Sequence, residues 1–103
     1  MTMDLSQAAL DVLAERKRQV VEEGWDADSD DSYVDGELAS AALNYASPEA
    51  VKPIYKKQPP FRTVWPFALK WWRPRSYRRN LVKAAALLLA EIERLDRAAS
   101  NKN

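Results

Sequence analysis

The chain has 103 residues, enough for one domain with a modest core. It has no cysteine and no histidine, which excludes disulfides, thiolate chemistry, Ser–His and Cys–His nucleophile systems and the commonest transition-metal ligand. The net charge of +1 hides a split: residues 1–50 hold twelve acids against three bases, and residues 51–103 hold thirteen bases against three acids. Either the halves neutralise each other, or the basic half meets an anionic partner.

The spacing predicts a first helix over residues 5–23. Asp4 is its expected N-cap, with Gln7 completing a capping box and Gly24 as the stop. Leu5, Ala9, Val12 and Val20 form its apolar stripe. Arg16 falls on the middle of that stripe and Gln19 on its edge. A charge on a buried face needs a partner, so Arg16 either pairs with an acid of the next helix or points into a pocket. Residues 24–32 read as a loop. Its acids lack the glycine and terminal glutamate of a calcium loop. Asp30, Asp31 and Asp35 are expected to complement the dipole of a second helix over 33–47. Asp30, Asp31 and Glu37 are the only candidate metal ligands, and carboxylates alone would favour Mg²⁺ or Mn²⁺. Val34, Leu38, Ala41 and Tyr45 make the stripe of that helix, and Pro48 ends it.

Residues 48–75 carry all six prolines, yet are too aromatic for a disordered linker. A turn of helix after Pro66 is expected. Trp65 is expected to cover the core. Adjacent Trp71 and Trp72 cannot point the same way, so one of them faces a pocket, a groove or a subunit contact. A third helix is predicted over 76–98, with Tyr77, Leu81, Ala84, Leu88, Ile92 and Leu95 as its main stripe and Val82, Ala85 and Leu89 widening it. So apolar a helix implies a central position or a second subunit. The reading is therefore all-α: a single helical domain of three main helices with a long Pro/Trp-rich connection between the second and third, and an oligomer.

Charge placement at the helix ends points to a ligand. Glu22 and Glu23 stand at the C-terminal end of the first helix, and Arg75, Arg78 and Arg79 at the start of the third. Both placements oppose the helix dipole. If the two ends meet, they cancel. Alternatively, arginines around free N–H groups bind an anion together with the dipole, with Lys83 in reach. The stretch 65–79 holds three of the four tryptophans and five cationic side chains. The candidate ligand site is thus Trp71, Trp72 and Tyr45 for a flat ring, and Arg16, Arg75, Arg78, Arg79 and Lys83 for phosphate, with Gln19 and Trp25 beside them.

Several segments carry a family resemblance: Glu-Arg-Lys-Arg-Gln at 15–19, Glu-Gly-Trp at 23–25, Asp-Asp at 30–31, Gly-Glu-Leu-Ala-Ser-Ala-Ala at 36–42, Trp65-Pro66, Trp71-Trp72, and the run from Arg79 to Arg97. On these the chain resembles a small family of phage and prophage accessory proteins. The resemblance implies a phage-encoded protein of the host cytoplasm. Related sequences often place a histidine before the acidic doublet, where this chain has Ser29. Small phage proteins of this kind can sequester cyclic nucleotides or cyclic ADP-ribose-like immune signals as oligomers.

The expected function is therefore non-catalytic sequestration of a nucleotide-derived signal, with no cofactor. One alternative is an inhibitor or adaptor that binds a host protein through its Trp/Arg segment. A second is a Mg²⁺-dependent enzyme like the all-α nucleoside triphosphate pyrophosphohydrolases. Glu22-Glu23 and Glu93-Arg-Leu-Asp96 match that acidic pattern only out of order. A nucleic-acid partner is disfavoured by the acidic half. The apolar run from Ala84 to Ala90 is far below the roughly 20 residues that span a bilayer, so no membrane partner is expected.

Overall fold

A computed structural model describes residues 4–101. Its elements are helix α1 (Gln7–Val21), the single turn α2 (Ala27–Asp30), α3 (Glu37–Ala46) and α4 (Tyr77–Ser100). No strand occurs among the described residues. The class is all-α as expected, with one more helix than the sequence suggested.

The boundaries follow from local capping. Ser6, not Asp4, caps α1, its hydroxyl accepting from the Ala9 N–H at 3.1 Å. Gln7 donates to Asp11 at 2.8 Å instead of closing a capping box. Gly24 at φ +72 supplies the left-handed turn after α1, as the sequence required. The expected acidic loop contains α2, because the Asp26 carboxylate accepts from the Ser29 N–H at 3.0 Å and nucleates one turn. Asp30 and Asp31 therefore end α2 and do not open the next helix. That helix, α3, begins only after Gly36 at φ +82. Val34 falls outside it and is 65% exposed, so it is not part of the buried stripe.

The core is built from Leu38, Ala41, Ala42 and Tyr45 of α3, Ala84, Leu87 and Ala90 of α4, and Ala50, Trp65 and Trp72 of the connection. Small residues on both α3 and α4 let the two helices approach closely. The connection crosses this pair through four short 3₁₀ turns, Pro48–Val51, Pro53–Tyr55, Arg62–Val64 and Leu69–Trp71. The last of these, and not a turn opened by Pro66, carries Trp71. An irregular segment must find partners for its backbone groups elsewhere. Here buried side chains supply them. Asn44 accepts from the Phe61 N–H at 2.7 Å. Asn80 accepts from the Arg75 N–H at 2.6 Å and donates to its carbonyl at 3.2 Å. The Tyr45 hydroxyl donates to the Trp71 carbonyl at 2.9 Å and accepts from the Arg73 N–H at 3.0 Å. The Trp72 indole N–H donates to the Tyr55 carbonyl at 2.7 Å.

Against α1, the packing is of another kind. The fully buried residues of α1 are Glu15 and Gln19, and the expected stripe is at most half-buried, with Leu5 56% exposed. Ion pairs join α1 and α4: Asp11 with Arg78 at 2.9 Å, Glu15 with Arg79, and Glu93 with Arg16 at 3.2 Å. The expected stripe of the third helix is also displaced. The buried side of α4 is Asn80, Val82, Ala84, Ala86, Leu87 and Ala90, whereas Tyr77, Leu81, Leu88, Ile92 and Leu95 are 39–55% exposed.

Candidate functional site

The proposed base-stacking residues separate. Trp72 is buried beside Tyr45, with ring centroids 4.7 Å apart, and Trp65 closes the same cluster. Trp72 and Tyr45 therefore build the core and leave no face for a ligand. Burial also pushes the Tyr45 hydroxyl up to about 12. Trp71, the other member of the pair, points the opposite way and stays half-buried. It meets Trp25 edge-on at 5.7 Å, and Trp25 stacks on Phe67 at 6.3 Å. These rings, with Tyr33 and Leu38, line a recess of about 120 Å³. Tyr33 reaches it because α2 ends just before it. That turn was invisible to hydrophobic spacing.

The proposed phosphate residues are mostly engaged. The Arg16 guanidinium is held by Asp30 at 2.7 Å, by Glu93 at 3.2 Å and by the Trp25 carbonyl at 3.1 Å. This is the structural ion pair that its position on the α1 stripe called for, with the acid supplied by α2. Burial pushes the Asp30 carboxyl up, and Arg16 opposes that only in part. Arg78 and Arg79 surround the α4 N-terminus as expected, but Asp11 and Glu15 occupy them. The expected internal partners, Glu22 and Glu23, turn instead to Arg18, at 3.6 and 2.8 Å. Arg75 is exposed and contributes its backbone to Asn80. Asp31 pairs with Arg97 at 2.8 Å, and Glu37 accepts from the Asp35 N–H at 2.7 Å. Among the described residues no three acidic side chains converge to hold a metal ion, so Asp30, Asp31 and Glu37 do not form the site considered for them.

Between α1 and α4 lies a small polar centre. Glu15 is 2% exposed and takes a two-pronged bond from Arg18, at 2.8 Å to each oxygen. Arg79 and the Gln19 amide bond the same carboxylate. Burial acts to raise the Glu15 carboxyl, but the bonds and charges of Arg18 and Arg79 bring it below its ordinary value. Lys83 borders this centre. Its ammonium donates to the Arg73 carbonyl at 2.7 Å and stands 5.4 Å from the Tyr45 ring. Burial, aided by Arg75, lowers it to about 8.

The cations not bound to acids are elsewhere. Lys70 and Arg73 make no ion pair among the described residues and stand over the Trp71 ring, at 5.4 and 5.3 Å from its centroid. The sequence enclosed both in its aromatic–basic stretch without singling them out, because spacing cannot show which arginine of a run finds a carboxylate. The groove on the other edge of Trp71 also has Glu22 and Glu23 in its wall, beside Arg18 and Arg73.

No protein-family model, no curated protein and no solved structure matches this chain.

Proposed function

We propose that the protein is a non-catalytic binder of a ring-bearing anion of the nucleotide class, held at the recess of Trp25, Tyr33, Phe67 and Trp71. The observation that carries this reading is the pair of cations over the Trp71 ring, itself one wall of an aromatic recess, neither of which makes an ion pair among the described residues. Most of the helix-borne arginines are tied to carboxylates, so the free positive charge lies largely on the connection. A flat ring stacks on the tryptophans, and Lys70 and Arg73 meet its phosphate. Lys70 and Arg73 thereby replace Arg78 and Arg79 as the anion contacts. Sequestering a nucleotide-derived signal, the role implied by the phage-protein resemblance, uses binding alone and so fits a site without a convergent acid cluster. Association of more than one copy belongs to the same proposal.

Calorimetric titration against cyclic dinucleotides, ADP-ribose derivatives and nucleoside triphosphates tests it, with Trp fluorescence as a second readout. Binding should quench tryptophan emission. Changing both Lys70 and Arg73 to Ala should weaken it by about a hundredfold or more, since charge-assisted bonds contribute about 1.5–3 kcal/mol each. The melting temperature should not move. Silence across the whole panel overturns the reading.

A further inference from the structure

The outer face of α4 carries Tyr77, Leu81, Leu88, Ile92 and Leu95, all 39–55% exposed. Monomeric proteins seldom expose so continuous an apolar row. The helix is already packed on two other sides, against α3 and α1, so this third row is surplus to the fold of one chain. Its spacing is symmetric. Leu81 and Leu95 lie seven residues on either side of Leu88, and Tyr77 and Ala99 lie eleven on either side. Ile92, four residues beyond Leu88, has the small pair Ala84 and Ala85 as its counterpart on the other side. Leucines spaced evenly about Leu88, with small residues opposite the larger Tyr77 and Ile92, complement a second copy turned antiparallel.

Charge selects the same arrangement. Arg78 and Asp96 are eighteen residues apart, which is five helical turns, so they share one edge of the row. Arg78 is bound to Asp11 yet its side chain is 63% exposed, and Asp96 makes no ion pair among the described residues. Antiparallel copies bring Arg78 of each near Asp96 of the other. Parallel copies would place this edge on opposite sides of the seam, and neither Arg78 nor Asp96 would meet its opposite charge.

We infer that two copies of this chain pair antiparallel through the outer face of α4, with the two-fold axis at Leu88. The inference rests on the association proposed above and names its interface. Leu88 then faces its own counterpart across the axis. Leu81 faces Leu95 of the other copy, Ile92 seats against the half-buried Ala85, and Tyr77 against Ala99.

The chain has no cysteine, so introduced thiols report without background. Leu88→Cys should form a disulfide-linked dimer on mild oxidation, because facing Cα atoms of packed helices come within disulfide reach. Leu81→Cys alone should not, since its two copies would stand about 21 Å apart along the helix. Mixed with Leu95→Cys, it should give the crossed product. Light scattering should find a dimer of the unaltered chain at micromolar concentration, and a monomer for Leu88→Lys with its helical circular dichroism retained. A monomeric unaltered chain overturns both the interface and the association. A dimer in which Leu88→Cys fails to link, or in which Leu81→Cys links to itself as readily, overturns this interface and leaves association standing.

Discussion

Helix α4 is held by two seams of opposite chemistry. Towards α3 it offers Ala84, Leu87 and Ala90 to Leu38, Ala41 and Tyr45, a dry contact between small and medium residues. Towards α1 it offers Arg79 to Glu15, Arg78 to Asp11 and Glu93 to Arg16. The first seam is held by burial and packing, which are insensitive to pH and salt. The second is held by charges removed from water, whose attraction must offset their desolvation. This difference explains the split charge of the sequence. Six of the twelve acids of the first half pair with arginines of α4 and α1, and the connection is left with cations such as Lys70 and Arg73 that make no ion pair among the described residues.

The sharpest way to break the second seam is Glu15→Ala. It removes the one carboxylate that Arg18, Arg79 and Gln19 share, leaving the buried Gln19 amide without that partner and Arg79, which is 38% exposed, without its acid. Breaking a fully buried pair from one side costs about 3–5 kcal/mol, and water at the two part-exposed arginines brings the expected loss to about 3 kcal/mol or less. The urea midpoint should fall accordingly. A loss below about 1 kcal/mol would mean that water reaches the centre and that the seam is no more than surface pairing.

The same carboxylates set the acid limit. Arg18 and Arg79 hold Glu15 below its ordinary value of 4.5, and Gln7 and Arg78 hold Asp11 below 3.8. Both contribute stability that is present above those values and is lost as pH falls through the lower native ones. Asp30 has the opposite sign. Its pKa is raised above 3.8, so its contribution is present below that value and is lost as pH rises through the native one. Below pH 4.5 the contributions of Glu15 and Asp11 are lost, and that of Asp30 runs against them. Glu15→Gln should flatten the acid limb of stability measured against pH, and an unchanged limb would remove Glu15 from the account.

The first seam should respond to volume instead. Ala84 is 3% exposed against α3, and Ala84→Leu inserts a branched side chain where the helices approach most closely. Overpacking of this kind costs about 1–3 kcal/mol. The loss should be the same at about pH 3 and about pH 7, unlike the loss from Glu15→Ala, which shrinks at the lower pH. A cost that varied with pH would mean that the two seams are not separable.

These seams also show why the sequence was only partly legible. Helical period located α1, α3 and α4 to within a few residues, except where Gly36 delays α3. It gave the row of Leu81, Leu88, Ile92 and Leu95 a central position or a second subunit, and could not choose between them because it weighs side chains by hydrophobicity alone. The helix pair excludes large residues, so Ala84, Ala86 and Ala90 are buried in their place, with Asn80 kept there by its bonds to Arg75. On α1 the same rule favoured Val12 and Val20 over Glu15 and Gln19, whose burial depends on Arg18 and on Arg79 far along the chain. The opposed directions of Trp71 and Trp72 were legible from adjacency alone. That Trp71 is the open one, backed by Trp25, Tyr33 and Phe67, depends on α2 and the final 3₁₀ turn. Those elements leave no periodic trace.

A further effect lies where the seams meet. Lys83 sits on α4 between the Glu15 centre and the Tyr45 ring, and its native pKa of about 8 lies below its ordinary 10.5. The folded chain therefore releases this proton before the unfolded chain does, so stability gains a rising component from about pH 8 to 10.5. Lys83→Met should remove that component and leave the acid limb untouched. In a lysine Cε NMR titration, Lys83 should move first, near pH 8. If it titrates near its ordinary value instead, the ammonium is solvated, and water enters the boundary between the dry seam and the charged one.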